Sequence, residues 1–291
     1  MEYMEYKVDY HFHSTFSDGT KRPTELVKWY KNNGYDEIAL TDHDGIDGVK
    51  EAKIAAEALG IQVISGVEIS TNLKVDFKNK PIDVHVLGYR FDENNPELIS
   101  KLRDLKRFRA ERNDLLIKKL NEMGYEISYE DILKCSNRSN QTYIGKPNIA
   151  DTLVDKGYIK TRNDAFEDGE FLESPEIKAI KKEQMNINDA ISLIRNAGGI
   201  AVIAHPMEIF EEEKYFVENA LGSSGDIPKE DYGKQKFFEW LFDELKELKK
   251  QGLGGLECYH PSATENDSHN LVKIAEKLKL HITRGSDYHG L

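Results

Sequence analysis

Apolar residues fall in short runs rich in valine and isoleucine, each closed by polar residues and followed by a stretch of helical spacing. The runs predict strands over 7–11, 36–42, 61–68, 82–89, 200–205, 254–260 and 281–287. Between them apolar positions recur at helical period over 23–33, 48–59, 188–197, 235–251 and 267–278. Strands separated by helices of ten residues or more predict parallel pairing through right-handed crossovers. Seven such units predict an α/β fold closed, or nearly closed, into a barrel. Residues 91–187 break the alternation with helical period at about 96–123 and 128–134, then over IGKPNIADTLVDKG and TRNDAFEDG. They predict an α-helical insertion between the fourth and fifth strands, capping a barrel made of residues 1–90 and 188–291. Residues 208–233, rich in Glu, Gly and Ser, predict a mobile loop. The sequence stops four residues after Asp287, so a closing strand or helix is expected beyond it.

Composition narrows the class. The 291 residues carry 40 basic and 52 acidic side chains, a net charge of −12, which argues against coating duplex DNA or an anionic membrane by bulk charge. No apolar run approaches the ~18 residues that span a bilayer. The N-terminal MEYMEYKVDYHF has no basic stretch leading into an apolar one, so no export signal is evident. Cys135 and Cys258 are too few for a disulfide framework or a thiolate zinc site, and Cys258 reads as a small core residue. A soluble protein of the cytoplasm is expected.

Candidate chemistry gathers where the strands end. The first predicted strand ends in His11 and His13, with Asp18 in the following loop; the second ends in Thr41-Asp42-His43-Asp44; the third ends in Glu68. His85 lies in the fourth strand, His205 closes the fifth, and the seventh delivers Asp287 and His289. In a parallel barrel these ends converge on one face. Side chains two apart on a strand point the same way, so His11 with His13, and Asp287 with His289, can each chelate one ion. Imidazole and carboxylate without thiolate suit Mn²⁺, Fe²⁺ or Zn²⁺. Nine donors are too many for one ion and suit two or three sharing a carboxylate. Such a site binds a phosphoryl group and lowers the pKa of a water toward about 7, so metal-assisted phosphoester hydrolysis by a metal-bound hydroxide is expected. Asp42 and Asp44 flank His43 and can orient imidazoles.

The segments HFHSTFSDG, LTDHD, GVEIS, DVHVLGY, IAHP and GSDYHG resemble the ordered motifs of the PHP (polymerase and histidinol phosphatase) superfamily of metal-dependent phosphoesterases. The RFRAERN and IGKPNIADTLVDKGY segments are similar to a subgroup of 3′,5′-nucleotide phosphatases that also act as 5′→3′ oligoribonucleases. The resemblance implies a distorted (βα)7 TIM-like barrel holding three metals. One ion would take His11, His13, Glu68 and Asp287; the second Glu68, His85 and His205; the third Asp18, His43 and His289. The implied partner is a small phosphorylated nucleotide or short oligonucleotide.

Substrate contacts are sought in the insertion. On the 96–123 helix Leu98, Leu102, Leu105 and Leu116 form a stripe, and Arg109 and Arg112 fall inside it. They either pair with a core carboxylate or clamp a second phosphate. Lys146 and Asn148, in a Gly-Lys-Pro-Asn run, form either an anion seat or an ordinary helix start. His260 follows the sixth strand as a supporting partner or a proton donor to the leaving oxygen; His269 and His281 read as incidental. Two rival activities remain: a histidinol-phosphate phosphatase, against which the insertion argues, and a metal-dependent amidohydrolase, whose fourth strand would bridge metals with carbamylated lysine or glutamate where this chain has His85.

Overall fold

The structure is a computed structural model that describes residues 6–135, 144–167, 169–213, 215–218 and 229–290. Nine strands are described: β1 (Val8–Phe12), β2 (Glu37–Leu40), β3 (Gln62–Ile64), β4 (Gly66–Leu73), β5 (Ile82–Tyr89), β6 (Met185–Asn186), β7 (Ile200–Ile203), β8 (Gly255–Tyr259) and β9 (His281–Arg284). They form an α/β arrangement of two sheets, one ordered β1-β2-β3 and the other β6-β4-β5-β7-β8-β9. Isolated parallel bridges, Phe12 to Tyr288 and His43 to Glu68, link the two sheets at the ends of β1 and β2.

The expectation of uniformly parallel strands is corrected here. β5 runs antiparallel to both β4 and β7, while the other pairs are parallel. The eight residues 74–81 between β4 and β5 are too few for a helical crossover, so the two strands form a hairpin. The expected third strand is interrupted at Ser65: β3 stays with the first sheet and β4 opens the second. The chain also rejoins the sheet earlier than expected, at Met185, where β6 pairs with Thr71 and Asn72 of β4.

Among the described residues four buried apolar clusters form, one of them under the first sheet around Phe12, Leu26 and Ile38; two of the four frame the site. The sheet core takes Val67, Ile69 and Val86 from the strands, with Ile191, Phe237 and Leu271 from the helices over them. A second core lies wholly between residues 116 and 177 and includes Leu120, Ile132, Ile149, Leu153 and Leu172. Helix Pro96–Glu122 joins them, with Leu98, Leu102 and Leu105 in the first and Leu116 and Leu120 in the second. Its start is set by Pro96 in the first turn and by Asn95, whose side chain accepts the Leu98 N–H at 3.0 Å. Each leucine so buried contributes about 2 kcal/mol of transfer free energy.

The loop expected over 208–233 is replaced, where described, by helices. Pro206–Glu212 and Tyr215–Glu218 are helical, and Lys229–Gln251 begins six residues before its expected start at 235. Phe210 and Phe216 are buried against Phe237, so aromatic packing overrides the polar composition. Residues 219–228 of that expectation lie outside the described residues. Cys258 is buried in β8 as expected, and both cysteines are free. Among the described residues no helix is long and apolar enough to cross a membrane.

Candidate metal centre

All nine expected donors come together: seven lie at or just beyond strand ends, whereas Glu68 is near the start of β4 and His85 is within β5. Glu68, on β4, is their hub and is 1% exposed. Its Oε2 lies 2.9 Å from His43 Nδ1, 3.3 Å from His13 Nε2 and 3.4 Å from His11 Nε2. Its Oε1 lies 2.8 Å from His85 Nδ1 and 3.0 Å from His205 Nε2. Asp287 Oδ1 faces His13 Nε2 at 3.0 Å and His11 Nε2 at 3.4 Å. Asp18 stands between His289, at 3.2 Å, and His43, at 3.5 Å. His13, Asp18, His43 and His289 form one compact group; His11, His13 and Asp287 a second; His11, Glu68 and His205 a third; His43, Glu68 and His85 a fourth.

The fit to cations can be judged from the donors themselves. Ligand atoms about 2.0–2.2 Å from one ion stand roughly 3.0–3.5 Å from each other, the range just described. His11 Nε2, His13 Nε2, Glu68 Oε2 and His260 Nε2 are buried and make no hydrogen bond. Neighbouring opposite charges compensate them in part, but without an aligned partner they remain free to turn to a ligand the side chains were arranged to meet. Charge points the same way. Burial alone would raise the Glu68 carboxyl, yet His43, His11 and His85 hold it well below the usual range. Burial would lower His11, but Glu257, Glu68 and Asp287 hold it well above an ordinary imidazole. His13 is raised to about 10 against its burial, by Asp287 and Glu68. Without metal, His11 and His13 therefore keep protons that a divalent cation would displace.

The backbone at this rim is strained. Asp44, His205 and Asp287 have φ of 50°, 23° and 50°, each costing about 1–3 kcal/mol. Each is held by its own N–H: Asp44 donates to Glu68 O at 2.8 Å, His205 to Glu257 Oε2 at 2.7 Å, and Asp287 to His11 O at 2.8 Å.

Supporting carboxylates surround the donors. Asp42 accepts from the Ser14 N–H at 2.7 Å and from Ser17 Oγ at 2.6 Å, and Ser17 Oγ lies 3.3 Å from His13 Nδ1. It thus holds an imidazole through a serine rather than directly. Three acids were missed in the sequence. Glu257, fully buried on β8, lies 3.1 Å from His11 Nδ1; Glu208 lies 3.0 Å from His205 Nδ1; Asp9 accepts from His11 N at 3.1 Å, Ser286 N at 3.0 Å and Tyr30 OH at 2.8 Å. An acid inside an apolar strand, as in GGLECYH, and an acid one helical turn after a histidine were the signals available.

Of the expected substrate contacts, Arg109 resolves toward pairing with a core carboxylate: it donates to Asp44 and, at 3.1 Å, to Ser70 Oγ. Asp44 is held below its usual range: burial opposes, and Arg109 outweighs it. Arg112 lines the same small space with Ser70, Phe108 and Lys182. Lys146 is bonded to Glu173 at 2.7 Å and to Leu172 O at 3.1 Å, and Asn148 accepts the Gly145 N–H at 2.9 Å as a helix cap. His260 lies 3.6 Å from Asp287 Oδ2. His269 and His281 are exposed.

Comparison with known proteins gives the family. The family model described as PHP domain matches residues 9–218. A 5′-3′ exoribonuclease of Haemophilus influenzae is 31% identical over 283 residues, covering 97% of this chain and 90% of its own. A 3′,5′-nucleoside bisphosphate phosphatase of Chromobacterium violaceum is 27% identical, covering 97% of this chain and 87% of its own. Among solved structures, an amidohydrolase from Chromobacterium violaceum with bound sulfate and no metal superposes with a TM-score of 0.76 at 26% identity, over 98% of this chain and 88% of that one.

Proposed function

The chain belongs to the PHP domain family, and from that premise we propose that it is a metal-dependent phosphoesterase acting on nucleotides or short oligonucleotides. The observation that carries the reading is Glu68, whose two oxygens face five imidazoles from opposite sides. In this reading His11, His13, Glu68 and Asp287 hold one ion, Glu68, His85 and His205 a second, and Asp18, His43 and His289 a third. The donor chemistry favours Mn²⁺, Fe²⁺ or Zn²⁺. Bound ions would supply Lewis acidity toward a phosphoryl group and acidify water.

The chain's own residues do the rest. Glu257, Glu208 and Asp42 fix the imidazole rings, directly or through Ser17, so that no donor must reorient when charge develops. His260, with its Nε2 beside Asp287, is positioned to hand a proton to the leaving oxygen. Arg112, Lys146 and Asn148 are candidate contacts for the remainder of the substrate. Lys146 would have to exchange Glu173 for a phosphate, and Arg109 acts through Asp44. Residues 91–187 serve as a capping insertion, supported by the separate core between 116 and 177. Closure of the two sheets into a distorted (βα)7 barrel is supported by the bridges at Phe12 and His43. A cytoplasmic setting accords with two free cysteines.

A panel of esters assayed with Mn²⁺ tests this: a nucleoside 3′,5′-bisphosphate, 5′-monophosphates, short RNA and histidinol phosphate. Turnover of the bisphosphate or RNA is expected; turnover of histidinol phosphate alone would move the activity to that rival. Amide hydrolysis is the second reading, favoured by the description of the Chromobacterium violaceum structure. Turnover of amides with none of phosphate esters would establish it instead.

A further inference from the structure

His11 and Asp287 face one centre from different sheets. β1 belongs to the first sheet and β9 to the second, and among the described residues one bridge, Phe12 to Tyr288, links the two on this side. The 3.4 Å between His11 Nε2 and Asp287 Oδ1 is therefore set across a seam, not along a continuous ladder. The other side of the centre is built differently. Glu68 and His85 lie on β4 and β5, which pair along their whole length, and His205 follows β7, the next strand of the same sheet.

Asp9 spans that seam. β1 slips register against β2 between Asp9 and Phe12, and there the His11 N–H donates to Asp9 Oδ1 at 3.1 Å. The same oxygen accepts the Ser286 N–H, from the chain just beyond β9, at 3.0 Å. Oδ2 accepts the Tyr30 hydroxyl at 2.8 Å, and Tyr30 is itself fixed on helix Pro23–Asn32, buried with its ring 4.5 Å from that of Phe12. Because Asp287 N–H donates to His11 O at 2.8 Å, two successive N–H groups of this segment are anchored on β1. There is no slack: a Cβ at Gly285 would lie 2.1 Å from His11 Cβ. Asp9 is 3% exposed, and among the described residues no cation pairs with it; N–H and O–H donors alone meet its carboxylate. A buried carboxylate held only by donors that converge from β1, the β9 segment and a helix is a device for geometry.

The geometry points to Asp9 as a positioning residue that, with Tyr30, sets the separation of His11 and Asp287 and so tunes one ion of the centre rather than all of them. The inference rests on the metal-centre reading and extends it to a residue that touches no ion and no imidazole. Its action is through position, not charge. An asparagine could do the same work: Oδ1 would accept the two N–H groups, Nδ2 would donate to the Tyr30 oxygen, and the Tyr30 hydroxyl would turn to Ser286 Oγ, 3.4 Å away.

Stepwise competition of the Mn²⁺-loaded protein with a chelator tests the clamp without turnover. Asp9→Ala is expected to weaken one binding step by roughly 10–100-fold and the remaining steps by less than about twofold. Asp9→Asn should restore most of the lost affinity. Tyr30→Phe, which leaves Oδ2 without its donor, should weaken the same step by a smaller factor, and it carries the test if Asp9→Ala fails to fold. In an Asp287→Asn background, Asp9→Ala should add less than about twofold, because the pair it positions is already broken. Equal weakening of every step, no weakening in either the Ala or the Phe variant, or an Asn variant as weak as Ala would overturn the clamp. An unaltered protein that binds no divalent ion would overturn the metal-centre reading and the clamp with it. One that binds its ions in the expected pattern yet hydrolyses no phosphate ester would sink only the phosphoesterase reading and support the clamp.

Discussion

The strand-end rim and the helical insertion use the same polar residue types to opposite ends. Around the second core of the insertion, polar groups find partners close by: Arg162 forks onto Asp151 with two bonds of 2.6 Å, Lys146 meets Glu173, and Asn148 caps its own helix. At the rim, buried His11, His13 and Glu68 aim atoms inward that no hydrogen bond satisfies, and three residues accept positive φ to do so. Satisfaction marks a residue that serves the fold, whereas inward-facing unsatisfied atoms mark one arranged for a ligand; positive φ alone does not, since Phe171 of the insertion has φ 37°. The difference is sharp enough to test.

The largest effect is expected at the hub. Glu68→Gln keeps the shape but removes the charge shared by five imidazoles, so bound metal, measured by elemental analysis, should fall by at least one ion per chain. Turnover with Mn²⁺ should drop on the order of 10³-fold or more. A variant with full metal content and activity would erase the contrast between the two regions. Next comes the second core: Leu153→Ala should cost about 2–5 kcal/mol in denaturant unfolding, with metal content unchanged. Loss of metal in that variant would mean that the rim and the insertion are not separable. Glu257→Gln should weaken metal binding by roughly 10–100-fold in a competition titration with a chelator, because His11 loses the carboxylate that orients its ring. The smallest change belongs to a satisfied group: Asn148→Ala should lower stability by about 1 kcal/mol through the lost cap. If it instead raised KM for a bisphosphate substrate with stability intact, Asn148 would belong with the ligand-facing residues.

Much of this contrast was legible in the chain. Most of the donors could be read because they sit at the end of an apolar run, a position that periodicity locates well; His85, inside its strand, could be read only by its place among the others. Asp9, Glu208 and Glu257 were not, because an acid in or beside an apolar segment looks the same whether it supports a ligand or faces water. Pairing direction was misread at β4–β5 because the strand was ended at 68; β4 in fact runs on to Leu73, and the remaining eight residues are too few for a crossover. The helices over 206–218 were hidden because their burial comes from Phe210 and Phe216 meeting aromatic residues far along the chain, which no local composition reports. Arg109 on an apolar stripe left two outcomes open, and only the position of Asp44 decided between them.

Helix Pro96–Glu122 runs without interruption from one apolar core into the other, with Arg109, Arg112 and the buried Asn113 on the stretch between. Such a shaft transmits rotation. Deleting one residue between Leu105 and Leu116 would turn everything beyond it by about 100° and swing the second core out of register with the rim. Chain length should therefore drift freely in the loops after Glu122 while the distance from Leu105 to Leu116 stays constant to the residue.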